Sequence, residues 1–249
     1  MTLYSFKLVE MDTPKLSTMV VLYNTNLKFD TTQLVHLLPL TDGIIRVEKR
    51  GVLLKGESKR DLVKRRSKKE TKGNNTGFGN NSMTLVILNN GNGTLKEKEI
   101  TIKIFQNGVF HMTGVLDDAY DIWSMKILLN ILWNNCRDSI RDCPDMYEVT
   151  ARRVVLMNYT TKLNVDSVLR QALYTSIRQM GMENVEVHYD PDVYPGVKIH
   201  IGPKWIAKVF RTGKVILTGI TTRDQCIEFV EQLKDLLKRA LPKPILASH

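Results

Sequence analysis

Two stretches of equal length carry the side chains best suited to chemistry. Lys103–Gly114 reads KIFQNGVFHMTG and Lys208–Gly219 reads KVFRTGKVILTG, with Lys, Phe, Gly, Thr and Gly recurring at the same places. Side chains alternate faces along a strand. Lys103, Phe105, His111 and Thr113 therefore share one face, and Lys208, Phe210, Ile216 and Thr218 share its counterpart. An ammonium, an aromatic ring and a hydroxyl side by side make a binding surface, able to pair with an anion, stack and hydrogen-bond. The opposite faces, Ile104, Phe110 and Met112 or Val209, Val215 and Leu217, are uniformly apolar and are expected to lie under helices. A single such Phe reads as a core or edge aromatic; two at equivalent places bring the binding role level with that reading.

Bond-making chemistry finds little support. His-x-x-x-His and Cys-x-x-Cys spacings are missing, and the Gly/Asn run lacks the Gly-Lys-Ser/Thr ending of a phosphate loop. Asp190 and Asp192 flank Pro191 and imitate a carboxylate pair, but in a turn. The chain is expected to be no enzyme, with no cofactor and no metal. Its 249 residues, net charge of +10 and pI near 9.5 favour a polyanionic partner, nucleic acid or an acidic membrane surface. No apolar run approaches the roughly 20 residues that span a bilayer. The charged N-terminus, MTLYSFKLVEMDTPK, lacks the apolar core of a signal peptide. An intracellular location with reduced Cys136, Cys143 and Cys226 is expected.

The elements that must position these faces also come in pairs. LSTMVVLYNTNLKFD (Leu16 to Asp30) aligns without gaps to TARRVVLMNYTTKLN (Thr150 to Asn164). After each hairpin comes a helical pattern: Ile122, Trp123, Ile127, Leu128, Ile131 and Leu132, then Ile227, Val230, Leu233, Leu236 and Leu237. Asp117, Asp118 and Asp121 suit the first helix's N-terminus, and Lys238 and Arg239 the second's C-terminus. Short helices are predicted to start near Asp30 and near Asn164–Asp166. The repeat starts lie 134 residues apart and the hairpins 105, so the first half holds 29 extra residues between these landmarks. This surplus maps to a basic insertion at about 50–82. Its centre, Lys59 to Lys72, has eight basic residues against two acids. A solvated loop and a phosphate-contacting or nuclear-import segment weigh about equally there. The predicted organisation is an extension at 1–13, repeat one at 14–135, a linker at 136–147, repeat two at 148–242 and a tail at 243–249.

A tandem repeat of this size with aromatic–x–x–Gly–Lys–x–x–x–Thr–Gly hairpins resembles the TATA-box-binding protein family. The likeness runs from about Thr13 to Leu241, with KVFRTGKVILTG its most specific part. It implies an α+β fold: two tandem repeats forming a pseudo-symmetric saddle, a curved antiparallel sheet with helices on the convex face. It implies a general transcription initiation factor, a monomer on A/T-rich promoter DNA, bending the duplex through its minor groove. Wedge residues would be Phe105, Phe210 and Tyr194, with Phe78 or Met83 as the fourth. Concave base-edge positions would be Val20, Val154, Thr113, Thr218 and Ile216. Lys198, Lys204, Arg211 and Lys214 are candidate phosphate contacts. Asp190 and Asp192 would meet a transcription-factor-IIB-like partner, within the RNA polymerase machinery.

Departures from the family pattern are specific. Its paired Asn near the dyad fall on Thr18 and Arg152, and two apolar concave positions become Lys103 and Lys208. The basic insertion resembles divergent members encoded by large DNA viruses, which implies a nucleus or a cytoplasmic viral factory. These departures keep open a second reading: a non-specific DNA- or RNA-binding module of this fold, or an accessory domain of a nucleic-acid enzyme.

Overall fold

The computed structural model describes residues 10–41, 43–62, 81–91 and 94–241. Phe78 and most of the basic insertion lie outside the described residues. The chain forms two compact units, Met19–Val155 with the first hairpin, and Met1–Thr18 with Leu156–His249, which holds the second.

In the first unit β1 (Lys15–Thr25) is followed by β2 (Lys28–Phe29), α1 (Thr31–Leu37), β3 (Ile44–Lys49), β4 (Leu53–Gly56) and α2 (Lys59–Leu62). Then come β5 (Ser82–Asn89), β6 (Lys98–Phe105), β7 (Val109–Val115), α3 (Asp118–Asn135), a 3-10 turn (Arg137–Ser139) and β8 (Ile140–Arg141). The antiparallel order is β1-β7-β6-β5-β3-β4, and β2 pairs with β8. In the second unit the later part of β9 (Val149–Lys162) leads to α4 (Arg170–Gln179), β10 (Val185–His188), β11 (Val197–Ile201), β12 (Trp205–Val209), β13 (Lys214–Ile220) and α5 (Arg223–Ala240). Its order is β10-β11-β12-β13-β9, again antiparallel. Residues 10–18 belong to this unit: Asp12 donates to the Lys162 carbonyl at 2.9 Å, and Ser17 to that of Asn158 at 2.9 Å.

The recurring glycines of the two hairpins have one cause. Gly108 and Gly213 close three-residue loops with φ of 79° and 76°, a left-handed conformation that a Cβ disfavours. Gly114 and Gly219 repeat this at 85° and 87°, beside register shifts in both β1–β7 and β13–β9. Each is a β-bulge, and a Cβ on Gly219 would sit 1.8 Å from the Lys204 carbonyl oxygen. The Thr-Gly ending is thus the place where the strand must kink.

One face of each sheet is dry. Ile102, Ile104, Phe110 and Met112 are fully buried, as are Ala207, Val209, Val215 and Leu217. Trp205 stacks on Phe229 of α5 at 5.2 Å, and Phe110 meets Phe29 edge-on at 5.8 Å. Lys49, on the dry face of β3, donates to Thr31 of α1 at 2.9 Å, and burial pushes its pKa down. The α+β class and the one-sided helix cover are therefore as expected.

Two local expectations are corrected. The second short helix starts at Arg170 rather than near Asn164–Asp166, because residues before it bond to the hairpin: Val168 donates to the Arg211 carbonyl at 2.8 Å. On α3, Ile122 and Trp123 are exposed by 54% and 37%, while Asp121 and Ser124 are buried. A buried polar anchor, described below, turns the helix that way. The first short helix is capped by Asp30, whose carboxylate accepts from Thr32 and Gln33 at 2.9 and 3.1 Å. These backbone donors, with Arg141, hold the Asp30 carboxyl below its usual range. Asp30→Ala is expected to cost about 1 kcal/mol in thermal or urea unfolding. Cys136 and Cys226 are free and buried, and burial pushes both thiols up to about 11.

Candidate nucleic-acid interface

The second unit's uncovered face is built in cross-strand rows. His188, Lys198, Lys208, Ile216 and Thr160 stand opposite one another across five strands, with Glu186, His200, Ile206 and Thr218 in the next row. Beside them Tyr194 and Phe210 lie ring to ring at 5.8 Å and 60°, both half-buried. Gly196 makes that approach possible, since a Cβ there would meet the two rings at 3.0 and 3.3 Å. Sequence reasoning passed over this glycine. The Lys198 and Lys208 ammoniums stand 5.1 and 6.0 Å from the Tyr194 ring centre, within cation–π range. Arg170, Pro195, Phe210, Arg211, Thr212, Lys214 and Ile216 line a cleft at the hairpin's end. Arg170 was also missed; its signal would have been a cation opening a helix beside the Pro-Gly turn. It donates to the Pro195 carbonyl and lies over the Tyr189 ring at 5.5 Å. Lys204 is exposed on the β11–β12 turn. Ammonium, guanidinium and aromatic groups thus cluster around the Tyr194–Phe210 ring pair.

The first unit repeats the plan with less charge. Leu54, Glu48, Thr84, Lys103, His111 and Leu22 form one row. Phe105 is half-buried at its hairpin, and Lys103 is exposed. Burial, with Lys103 opposite, holds the His111 pKa below its ordinary value, and its Nδ1 has no hydrogen-bond partner.

Comparison with known proteins finds likeness to one family. A family model described as "Transcription factor TFIID (or TATA-binding protein, TBP)" matches residues 159–240. The TATA-box-binding protein of Methanosphaera stadtmanae is 26% identical over 147 residues, 57% of this chain and 70% of that protein. TATA-box-binding protein 2 of Methanosarcina acetivorans is 35% identical over 92 residues, 36% of this chain and 44% of that one. The Methanococcus jannaschii TBP structure superposes with a TM-score of 0.55 at 16% identity, covering 91% of this chain and 99% of that one. The chain is thus similar in sequence to TATA-box-binding proteins, with the family model matching residues 159–240, and it shares the fold of the solved structure.

Most of the residues that the family resemblance singled out fall on uncovered faces. Thr113 and Thr218 are half-buried on the faces of Lys103 and Lys208, and Val20, Val154, Thr18 and Ile216 are half-buried too. Two are corrected. Met83 is 1% exposed and pairs with Ile104 on the dry face, so it cannot be a surface wedge. Arg152 does not present itself as a base contact, because acids at the start of α3 hold it. It donates to Asp121 at 2.8 and 3.1 Å and to Asp118 at 2.6 Å, while Tyr23 donates to Asp121 at 2.6 Å. Bonding to Asp121 keeps the Arg152 guanidinium charged, and burial together with Asp121 keeps the Tyr23 phenol protonated. The turn around Pro191 is shaped by Asp190, whose carboxylate accepts from Asp192 and Val193 at 3.0 and 3.4 Å. Asp190 is thus engaged in its own turn, while Asp192 is exposed.

Proposed function

We propose that this chain is a TATA-box-binding protein family member and a transcription initiation factor that lays the uncovered faces of its sheets in the minor groove of promoter DNA and bends it. The observation that carries the reading is the half-exposed Tyr194–Phe210 ring pair set among Lys198, Lys208, Arg211 and Lys214. Phe105 supplies the matching ring on the first unit. Minor-groove acceptors barely distinguish A·T from T·A, so selectivity rests on base steps that unstack and bend cheaply. Rings inserted at such steps cost a few kcal/mol of unstacking and gain a wider contact. The cations around the hairpin add the salt-dependent phosphate component. Asp192, beside the exposed Val193, is offered to a transcription-factor-IIB-like partner, and the protein acts as a monomer on DNA.

Lys103 and Lys208 favour the second reading, non-specific binding, because ammoniums on the sheet floor accept any sequence. Titration of an A/T-rich duplex with central TA steps against a G/C-rich duplex of equal length, at one salt concentration, separates the two. A preference of at least about tenfold for the A/T duplex, or ~1.4 kcal/mol, is expected. Equal affinities would sink promoter recognition.

A further inference from the structure

The first unit's uncovered face is not open across its whole width. Gly56, Arg46, Val86, Thr101 and Thr113 form one of its rows, yet Arg46 is 7% exposed and Val86 0%. The chain that leaves β4 is fastened there. Asp61 takes the Arg46 Nε at 2.9 and 3.1 Å, and Glu48 takes its Nη1 at 2.8 Å. The Ser58 backbone donates to the same Asp61 carboxylate at 2.9 Å. The Lys59 backbone donates to Glu99, which stands on the uncovered face of β6, at 3.1 and 3.2 Å. Ser58 itself is only 8% exposed. By contrast Lys208 and Lys214, on the second unit's hairpin, make no ion pair among the described residues.

We propose that Ser58–Leu62 is a strap over a masked phosphate-binding residue, Arg46, on which Asp61 occupies the place of a nucleic-acid phosphate. The inference rests on the DNA-binding reading. A guanidinium presents the same planar fork to carboxylate and phosphate, so the two compete for one site. While Asp61 holds it, Arg46 adds nothing to phosphate binding. Released, it adds one contact, which steepens the dependence of log K on log salt by about 0.9 and raises affinity about eightfold at 0.1 M salt.

The test is salt-dependent titration of the A/T-rich duplex with central TA steps by full-length wild type, Asp61→Ala, Arg46→Gln, Asp61→Ala/Arg46→Gln and Glu99→Gln, each checked for an unchanged unfolding transition. Asp61→Ala is expected to bind about eightfold tighter with a slope steeper by about one, and the double variant to return to wild-type values. Arg46→Gln alone should leave affinity unchanged. Glu99→Gln, which loosens the Lys59 anchor, should move affinity in the same direction as Asp61→Ala by a smaller factor, and serves if Asp61→Ala does not fold. Unchanged or weaker binding by Asp61→Ala overturns the strap while wild-type binding upholds the DNA reading. A gain that survives in the double variant also overturns it, since Arg46 would not be the source. No duplex binding by any variant overturns both.

Discussion

Phe210→Ala is expected to remove most of the bend in an A/T-rich duplex and to weaken binding at least about tenfold. Energy transfer between dyes at the duplex ends reads the bend, and titration at fixed salt reads the affinity. The ring stands half-buried at 5.8 Å from Tyr194, held at the tip of a hairpin whose other side is dry core. A ring held this way has little side-chain freedom left to lose on stacking against a base. Base–aromatic stacking amounts to about 1–3 kcal/mol per ring. Lys214→Ala, three residues past the loop's start, should instead flatten the salt dependence by about one unit and leave the bend in place. If the lysine change abolished bending and the phenylalanine change did nothing, Phe210 would not be the wedge.

Asp121→Ala should be the most destabilising single change in the first unit. Asp121 is fully buried and is shared by the Tyr23 hydroxyl and the Arg152 guanidinium. Its removal strands a buried phenol and a partly buried cation, whose remaining partner, Asp118, is 53% exposed. Breaking a buried pair costs 3–5 kcal/mol in general, and the 30% exposure of the Arg152 side chain brings the expectation to about 3 kcal/mol. In thermal unfolding that is a fall of roughly 10 °C for a unit of this size. Tyr23→Phe should cost about 1 kcal/mol alone and almost nothing once Asp121 is gone, because its hydroxyl then has no acceptor to lose. Additive losses would show that the three groups do not act as one unit.

The Asp121 anchor also marks where sequence reasoning stopped. Helical spacing placed Ile122 and Trp123 of α3 toward the core, as apolar periodicity does for α5. The rotation of α3 is set by a polar anchor contributed from β1 and β9, far away in sequence, and no local period contains that information. Arg152 is hidden from sequence for the same reason: the resemblance sets it at a concave position, while the acids that capture its side chain belong to a helix some 30 residues earlier. Met83 failed through register, since one position along β5 exchanges the uncovered face for the dry one. The hairpins were legible because both determinants are local: strand alternation sets the faces, and left-handed glycines set the turn and the bulge.

The amino-acid sequence by itself determined the duplicated plan, the family resemblance, the α+β class and the faces bearing Phe105, Phe210, Thr113 and Thr218. Each follows from short-range patterns that recur twice in one chain. Only the tertiary structure decided which cations on those faces are free. The fold brings Asp61 and Glu48 within about 3 Å of Arg46, and Asp118 and Asp121 within about 3 Å of Arg152, and so engages both. Charge is a property of a residue, but its availability depends on what folding places beside it.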